Sequence, residues 1–328
     1  MFNFSWPEES FINFNKSSTS IFINTLFINS RFSFEKLLTL CGEVWFYSIG
    51  ILLLFLTILE PTGPIDFHLL IQSVFPITQP HYWSITDYIL LMLFSPFLNK
   101  LIKNLSKESH LKLILMMTVI WCIFPMVTGF ATTYNAIILF ALLYFIGSFI
   151  RLHVDLSKLN SKKLALSFIG SLIISMVLYC GISHVHLITD SDLIFNLSTY
   201  FWSANSIFIV ISSLSLFLIF LKRREFSNRY INLVAASSLG VYLIHENIFF
   251  RTYLWKSILN MSNHYSSPDL ILYAIMSVIV IYIVCTGIDI LRRLTVEKIW
   301  IHIIDRKLNA IPKWLNIKFK SFTEKLWF

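Results

Sequence analysis

Residues 270–291 read Leu-Ile-Leu-Tyr-Ala-Ile-Met-Ser-Val-Ile-Val-Ile-Tyr-Ile-Val-Cys-Thr-Gly-Ile-Asp-Ile-Leu. A bilayer core about 30 Å thick is crossed by roughly 20 apolar helical residues, and this stretch has that length. Seven other segments meet the requirement or come near it: 44–60, 83–100, 111–130, 134–151, 164–183, 200–221 and 233–250. The reading is an all-α integral membrane protein, a polytopic bundle of about eight transmembrane helices. Composition agrees. Hydrophobic residues make up 56% of the 328 and charged residues 13%, against about 25% charged in soluble domains. The mean hydropathy is +0.71. In water such a chain would expose large apolar patches.

The basic residues give the sidedness. Lys and Arg concentrate in cytoplasmic loops. Segments 1–43, 100–112, 151–163, 222–229 and 291–328 hold 24 of the 26 Lys and Arg. The four intervening loops hold only Arg251 and Lys256. This alternation predicts a plasma-membrane protein with both termini cytoplasmic. It also explains the net charge of +8. No basic groove with interleaved aromatics can be drawn, so nucleic acid is not an expected partner.

Three regions follow: a cytoplasmic or interfacial segment 1–43, a transmembrane domain 44–291 and a basic tail 292–328. The N-terminus lacks the basic start and apolar core of a signal peptide. Stretch 19–28 is apolar but too short to cross, which suits an interfacial segment. The tail mixes basic residues with Trp300, Trp314, Phe319, Phe322, Trp327 and Phe328. That pattern fits either an amphipathic helix on anionic lipid or simple positive-inside anchoring. Cys41, Cys122, Cys180 and Cys285 stand singly, so neither a disulfide framework nor a zinc site is indicated. With nine glycines in all, no Gly-rich phosphate cradle can be assembled.

Ionisable groups inside spans are costly and invite a functional hypothesis. Asp87 lies one turn inside the second span. With Ser84 it has capping-box spacing, Ser84 as N-cap and Asp87 at N3; the alternative is a catalytic carboxylate. In the seventh span Tyr242, His245, Glu246 and Phe249 follow i, i+3, i+4, i+7 and would share one helix face. His245 beside Glu246 could act as a general base, or the group could be a polar patch closing the helix end, with Arg251 as counter-charge. His184 and His186, near Asp190 and Asp192, have only weak metal-site spacing, and no metal is assigned.

Residues 237–245, Ser-Ser-Leu-Gly-Val-Tyr-Leu-Ile-His, resemble the S-x-G-x-Y-L-I-H signature in the penultimate helix of membrane acyltransferase family 3. His81-Tyr82-Trp83-Ser84-Ile85-Thr86-Asp87-Tyr88, running to Leu93-Phe94-Ser95-Pro96-Phe97-Leu98-Asn99, resembles another helix of that family. Phe34–Leu38 with Trp45–Ser48 is similar to a third. The resemblance covers residues 30–290 or so. It implies an enzyme moving an acyl group, commonly acetyl, from acyl-CoA onto a hydroxyl of cell-surface or lipid-linked polysaccharide. Acetyl-CoA or another acyl-CoA would be the donor, with no bound cofactor. The bilayer and the polysaccharide acceptor would be its other partners. The CoA phosphates would be drawn to Lys or Arg on the cytoplasmic side.

By the resemblance, Tyr242 and His245 fall on the family signature, as do Trp83 and Pro96. The expected site is His245, Glu246 and Asp87 for catalysis, with Tyr242, Trp83 and Tyr88 around the substrate. One family feature is missing. Its first helix carries a basic residue, ten residues and then His. The positions eleven before the nine histidines here are Thr57, Leu70, Asn99, Leu142, Ile173, Ser175, Val234, Tyr253 and Leu291, and none is basic. The paired Arg-x-x-Arg motif is also absent. The chain is therefore expected to lack the family's first two helices, with 19–28 as a remnant. Two rivals remain: a bundle without the chemistry, and a transporter or polymerase of lipid-linked polysaccharide. For a transporter, paired broken helices are the signature, and Pro96 and Pro125 are not symmetrically placed.

Overall fold

The computed structural model describes residues 34–58, 67–78, 81–128, 136–223, 228–264, 267–300 and 302. Stretch 19–28 and the tail beyond Trp300, His302 apart, lie outside the described residues. Every regular element among those described is helical. In chain order they are α1 (Phe34–Thr57), α2 (Phe67–Val74), α3 (Trp83–Asn104), α4 (Lys107–Thr128), α5 (Ala136–His153), α6 (Ser161–Thr189), α7 (Asp192–Tyr200), α8 (Ile207–Leu221), α9 (Arg229–Ala236), α10 (Ser238–His245), α11 (Ile248–Tyr253) and α12 (Leu270–Arg292). A π-helical turn, Leu254–Ile258, extends α11, and another, Arg293–Glu297, carries α12 on to Trp300.

Among the described residues six helices are long and apolar enough to cross a membrane, and α9–α10 with α11 meet the same test together as a pair bent by 74°. The protein is an all-α polytopic membrane protein. The segment expected as a span over 200–221 is helical only from Ile207, and α8 has 15 residues. At 1.5 Å per residue it measures about 22 Å, short of a bilayer core. The first span reaches back to Leu37 and the last runs on to Trp300. Glu43, Arg292 and Glu297, which lie beyond the expected bounds 44–60 and 270–291, pair with one another and do not stop the helices.

The described residues fall into two compact units, one within Leu90–Phe226 and one within Arg31–Ile89 and Ser227–Phe328. In the first, each irregularity of the backbone has an identifiable partner, as an apolar solvent requires. Pro96 has no N–H and leaves the Met92 carbonyl without its helical donor; Ser95 Oγ donates to that carbonyl at 2.8 Å. Pro125 does the same to Trp121 within a π-helical turn, Val119–Ile123. Asn205 Nδ2 donates to Trp121 O at 3.1 Å, and the Tyr200 hydroxyl donates to Cys122 O. Tyr200 also accepts the first N–H of α8, from Ile207, at 3.1 Å. Two carbonyls of α4 are thus served from the end of α7, by Tyr200, and from the non-helical stretch 201–206, by Asn205. Tyr144 on α5 donates to Asn99 Oδ1 of α3 at 2.8 Å.

In the second unit α1 packs on α2, α10 and α11. Ile51, Leu52, Phe55 and Phe249 form its apolar centre. Ser48 Oγ donates to Ser73 O at 2.8 Å. The close approach of α10 to α12 rests on Gly240. A β-carbon there would stand 2.3 Å from Asp289 Oδ1, so only glycine fits. Asp289 is fully enclosed. It accepts from Tyr47 Oη at 2.6 Å, Arg292 Nε at 2.8 Å and Arg293 Nε at 2.8 Å. Arg292 also donates to Glu43 at 2.9 Å and lies 3.1 Å from Glu297.

Candidate functional site

The seventh span is broken twice, and the site is built on the second break. At the first break, between α9 and α10, the Ala236 carbonyl accepts from Arg293 Nη2. A guanidinium at a helix C-terminus satisfies the orphan carbonyl and opposes the negative end of the dipole.

At the second break the helix stops at His245 and restarts at Ile248. Asn247 N bonds back three residues to Ile244 O at 3.3 Å, which frees the Leu243 carbonyl. Tyr82 Oη donates to it at 2.8 Å and in turn accepts from Asn247 Nδ2 at 2.9 Å. Asn247 Oδ1 caps α11, accepting from Phe249 N at 3.1 Å and Phe250 N at 3.5 Å. The Ile248 N–H goes to His81 Nε2 at 3.4 Å. Tyr82 and Asn247 are both buried, so no water is at hand to replace them. Tyr82→Phe is expected to cost about 1–3 kcal/mol, the penalty of an unsatisfied buried carbonyl, measured by thermal unfolding in detergent; an unchanged melting temperature would refute this account of the break.

The bend rearranges the predicted site. Tyr242 and His245 stay together on α10, with ring centres 6.2 Å apart. Phe249 leaves their face, because α11 turns 74° away, and packs in the apolar centre instead. The four-residue stripe expected on one straight helix is thus a three-residue group at a helix end. His245 Nδ1 lies 2.7 Å from the Val241 carbonyl. A carbonyl only accepts, so Nδ1 carries the proton and a neutral ring has its lone pair on Nε2. Nε2 is 3.6 Å from Glu246 Oε1, and Glu246 Oε2 is 3.3 Å from Arg251 Nη1. The side chains are 26% exposed at His245 and 35% at Glu246, so the group meets the surroundings.

The α3 side contributes through residues at its start. Helix α3 begins at Trp83, so Ser84 lies inside the first turn and does not cap it. The expected capping box is replaced by a tertiary bond, Ser84 Oγ donating to Tyr242 Oη at 2.7 Å. Trp83 is exposed and Tyr88 buried. Asp87 is half-buried, with no hydrogen bond or ion pair among the described residues, and it takes no part in the bonds tying α3 to α10. Sequence reasoning passed over Tyr82, Asn247 and His81 as site builders; their roles depend on contacts more than 160 positions away.

His81 sits just before α3. Burial, and then the positive charge of Arg251, hold its pKa down at about 4. Its ring lies 4.3 Å from that of Tyr82. A cavity of about 470 Å³ lies away from these residues, between α1 and the end of α12, with Gly42, Glu43, Phe46, Arg292 and Trp300 among its walls. No group of three His, Cys, Asp or Glu among the described residues could hold a metal ion; His186 Nδ1 instead donates to Ser191 O at 3.2 Å.

Comparison with curated proteins and with solved structures finds no match. A family model described as an acyltransferase domain, of the acyltransferase 3 type, matches residues 22–288. The match takes in most of the chain, including α10 and the start of α3, and its helices are those of a membrane protein. The chain therefore belongs to acyltransferase family 3, a family of membrane acyltransferases.

Proposed function

We propose that this chain transfers an acyl group, acetyl in the first instance, from acyl-CoA to a hydroxyl of a cell-surface or lipid-linked polysaccharide, with His245 as general base. The observation that carries the reading is the Val241 carbonyl bond to His245 Nδ1. It fixes the tautomer and leaves the Nε2 lone pair for a substrate, with Glu246 placed to stabilise the imidazolium that forms. Such orientation of a base by a second group is the usual arrangement for acyl transfer.

In the step itself the acceptor hydroxyl gives its proton to His245 Nε2 while its oxygen attacks the thioester carbonyl. The tetrahedral intermediate collapses with cleavage of the C–S bond. The imidazolium returns the proton to the departing CoA thiolate. Sidedness supports the division of labour. Arg251 and Lys256, the two basic residues outside the Lys- and Arg-rich loops, follow His245 in the chain, which suits an acceptor on the outer side. The loops that carry most Lys and Arg suit the donor phosphates.

The test uses the purified full chain in detergent, labelled acetyl-CoA and a polysaccharide acceptor. His245→Ala is expected to lower turnover by about 10²–10⁴-fold, the span of general-base catalysis, at unchanged membrane abundance. Transfer at the wild-type rate would refute the role of His245. Absence of transfer in the unaltered chain across acceptors would favour a bundle that has kept the fold without the chemistry.

A further inference from the structure

We propose that His81 is a second catalytic residue of this site, a neutral imidazole whose Nδ1–H serves the oxygen that turns negative during acyl transfer. This rests on the acyl-transfer reading above.

The two histidines of the site spend opposite nitrogens on the backbone. His245 gives its Nδ1–H to the Val241 carbonyl and keeps a lone pair on Nε2. His81 uses its Nε2 lone pair to accept the Ile248 N–H at 3.4 Å. A ring nitrogen that accepts carries no hydrogen, so the proton of neutral His81 is on Nδ1. That Nδ1 is buried and has no hydrogen-bond partner among the described residues. Buried polar groups are nearly always paired, and an exception calls for a reason. Acyl transfer supplies one, since it needs a lone pair for the acceptor hydroxyl and a donor for the carbonyl oxygen.

Three further features fit a donor. The ring faces a backbone N–H at the start of α11 and has Arg251 as a charged neighbour, so a second proton is opposed from both. Its pKa of about 4 agrees, and the ring is neutral at physiological pH. A neutral donor stabilises a developing oxyanion without surrendering its proton. Third, His81 belongs to the same cluster as the base. Its ring is 4.3 Å from Tyr82, Tyr82 is 6.1 Å from Tyr242, and Tyr242 is 6.2 Å from His245. The residue whose N–H it accepts, Ile248, is three positions after His245. In the step, the thioester carbonyl oxygen gains the negative charge as the acceptor oxygen bonds to carbon. His81 Nδ1–H hydrogen-bonds to that oxygen and keeps its proton when the C–S bond breaks.

Two amides separate this role from a structural one. In His81→Gln the amide oxygen can stand at the Nε2 position and still accept from Ile248 N, but the Nδ1 donor is gone. In His81→Asn the amide N–H stands at the Nδ1 position, and the Ile248 acceptor is gone. With the full chain in detergent and acetyl-CoA as donor, His81→Gln is expected to lower kcat about 10²–10³-fold, as loss of an oxyanion donor does, with the KM for acetyl-CoA within about threefold. His81→Asn should melt at a lower temperature yet keep a higher kcat than His81→Gln. Nitrogen-15 spectra of histidine-labelled protein should show His81 as the neutral Nδ1–H tautomer between about pH 5 and 8, above its pKa of about 4. Wild-type kcat in His81→Gln, the reverse order of the two variants, or an Nε2–H tautomer overturns the proposal. If His245→Ala abolishes transfer while His81→Gln does not, the His81 role alone fails; if the unaltered chain transfers nothing, both readings fall.

Discussion

Asp289→Ala should destabilise the protein by about 3–5 kcal/mol, the range seen when one partner of a buried ion pair is removed. The carboxylate is completely enclosed and holds three donors at 2.6–2.8 Å: Tyr47, Arg292 and Arg293. Arg292 would keep Glu43 at 2.9 Å and Glu297 at 3.1 Å. Arg293 would lose its carboxylate and retain the Ala236 carbonyl. The outcome is an uncompensated guanidinium inside an apolar layer, and a shift of α12 against α1 and α10. Asp289→Asn keeps an acceptor for Tyr47 and should cost less. Thermal unfolding of purified protein in one detergent measures both. A wild-type melting temperature for Asp289→Ala would mean that the cluster contributes nothing to stability.

The charge cluster also shows where sequence reading stops. Asp289 stands in an apolar run, and Arg292 and Arg293 follow at i+3 and i+4, a spacing that brings side chains together on a helix. The positive-inside rule explained the arginines well enough that their pairing went unread. Most of the spans were legible, because a run of some twenty apolar residues has few alternatives in any solvent. The break after His245 was not legible. Residues 233–250 are apolar apart from Ser237, Ser238 and the run His245-Glu246-Asn247, and the spacing of Tyr242, His245, Glu246 and Phe249 suits a straight helix. What stops the helix is supplied from elsewhere: Tyr82 for one carbonyl, His81 for one N–H, with Asn247 bridging them. The same holds for α8, whose late start follows from the carbonyls that Pro125 and the π-helical turn of α4 leave open. Of the site, Tyr242, His245 and Glu246 could be found as polar residues in an apolar run. The tautomer of His245 could not, since it depends on which atom faces Val241 O.

Gly240→Ala should impair stability and activity together. The added β-carbon would lie 2.3 Å from Asp289 Oδ1, 2.4 Å from its Cγ and 2.8 Å from its Cβ. Asp289 cannot swing aside without giving up its three donors, two of which bond to Oδ1 itself. Helix α10 must therefore move, and overpacking of this kind costs about 1–3 kcal/mol. Because α10 is only eight residues long, a shift at Gly240 reaches Tyr242 and His245 within two turns. The 2.7 Å bond from Ser84 to Tyr242 and the 2.8 Å bond from Tyr82 to Leu243 would stretch. A misplacement near 1 Å lowers catalysis by about 10²-fold. Gly287 of α12 has nothing within 4 Å of a built β-carbon, so Gly287→Ala should be neutral or stabilising by up to about 1 kcal/mol. The pair separates a steric demand from the general effect of adding alanine to a helix, and equal behaviour of the two variants would refute the wedge. Combining Gly240→Ala with Asp289→Ala gives a second check. Removing the carboxylate clears the two closest clashes but not the one with Cβ, so the double variant should cost less than the sum of the singles by about 0.5–3 kcal/mol, the coupling expected of residues in contact. Strict additivity would mean that Gly240 and Asp289 act independently, and the glycine of the family signature would then need another explanation than room for this carboxylate.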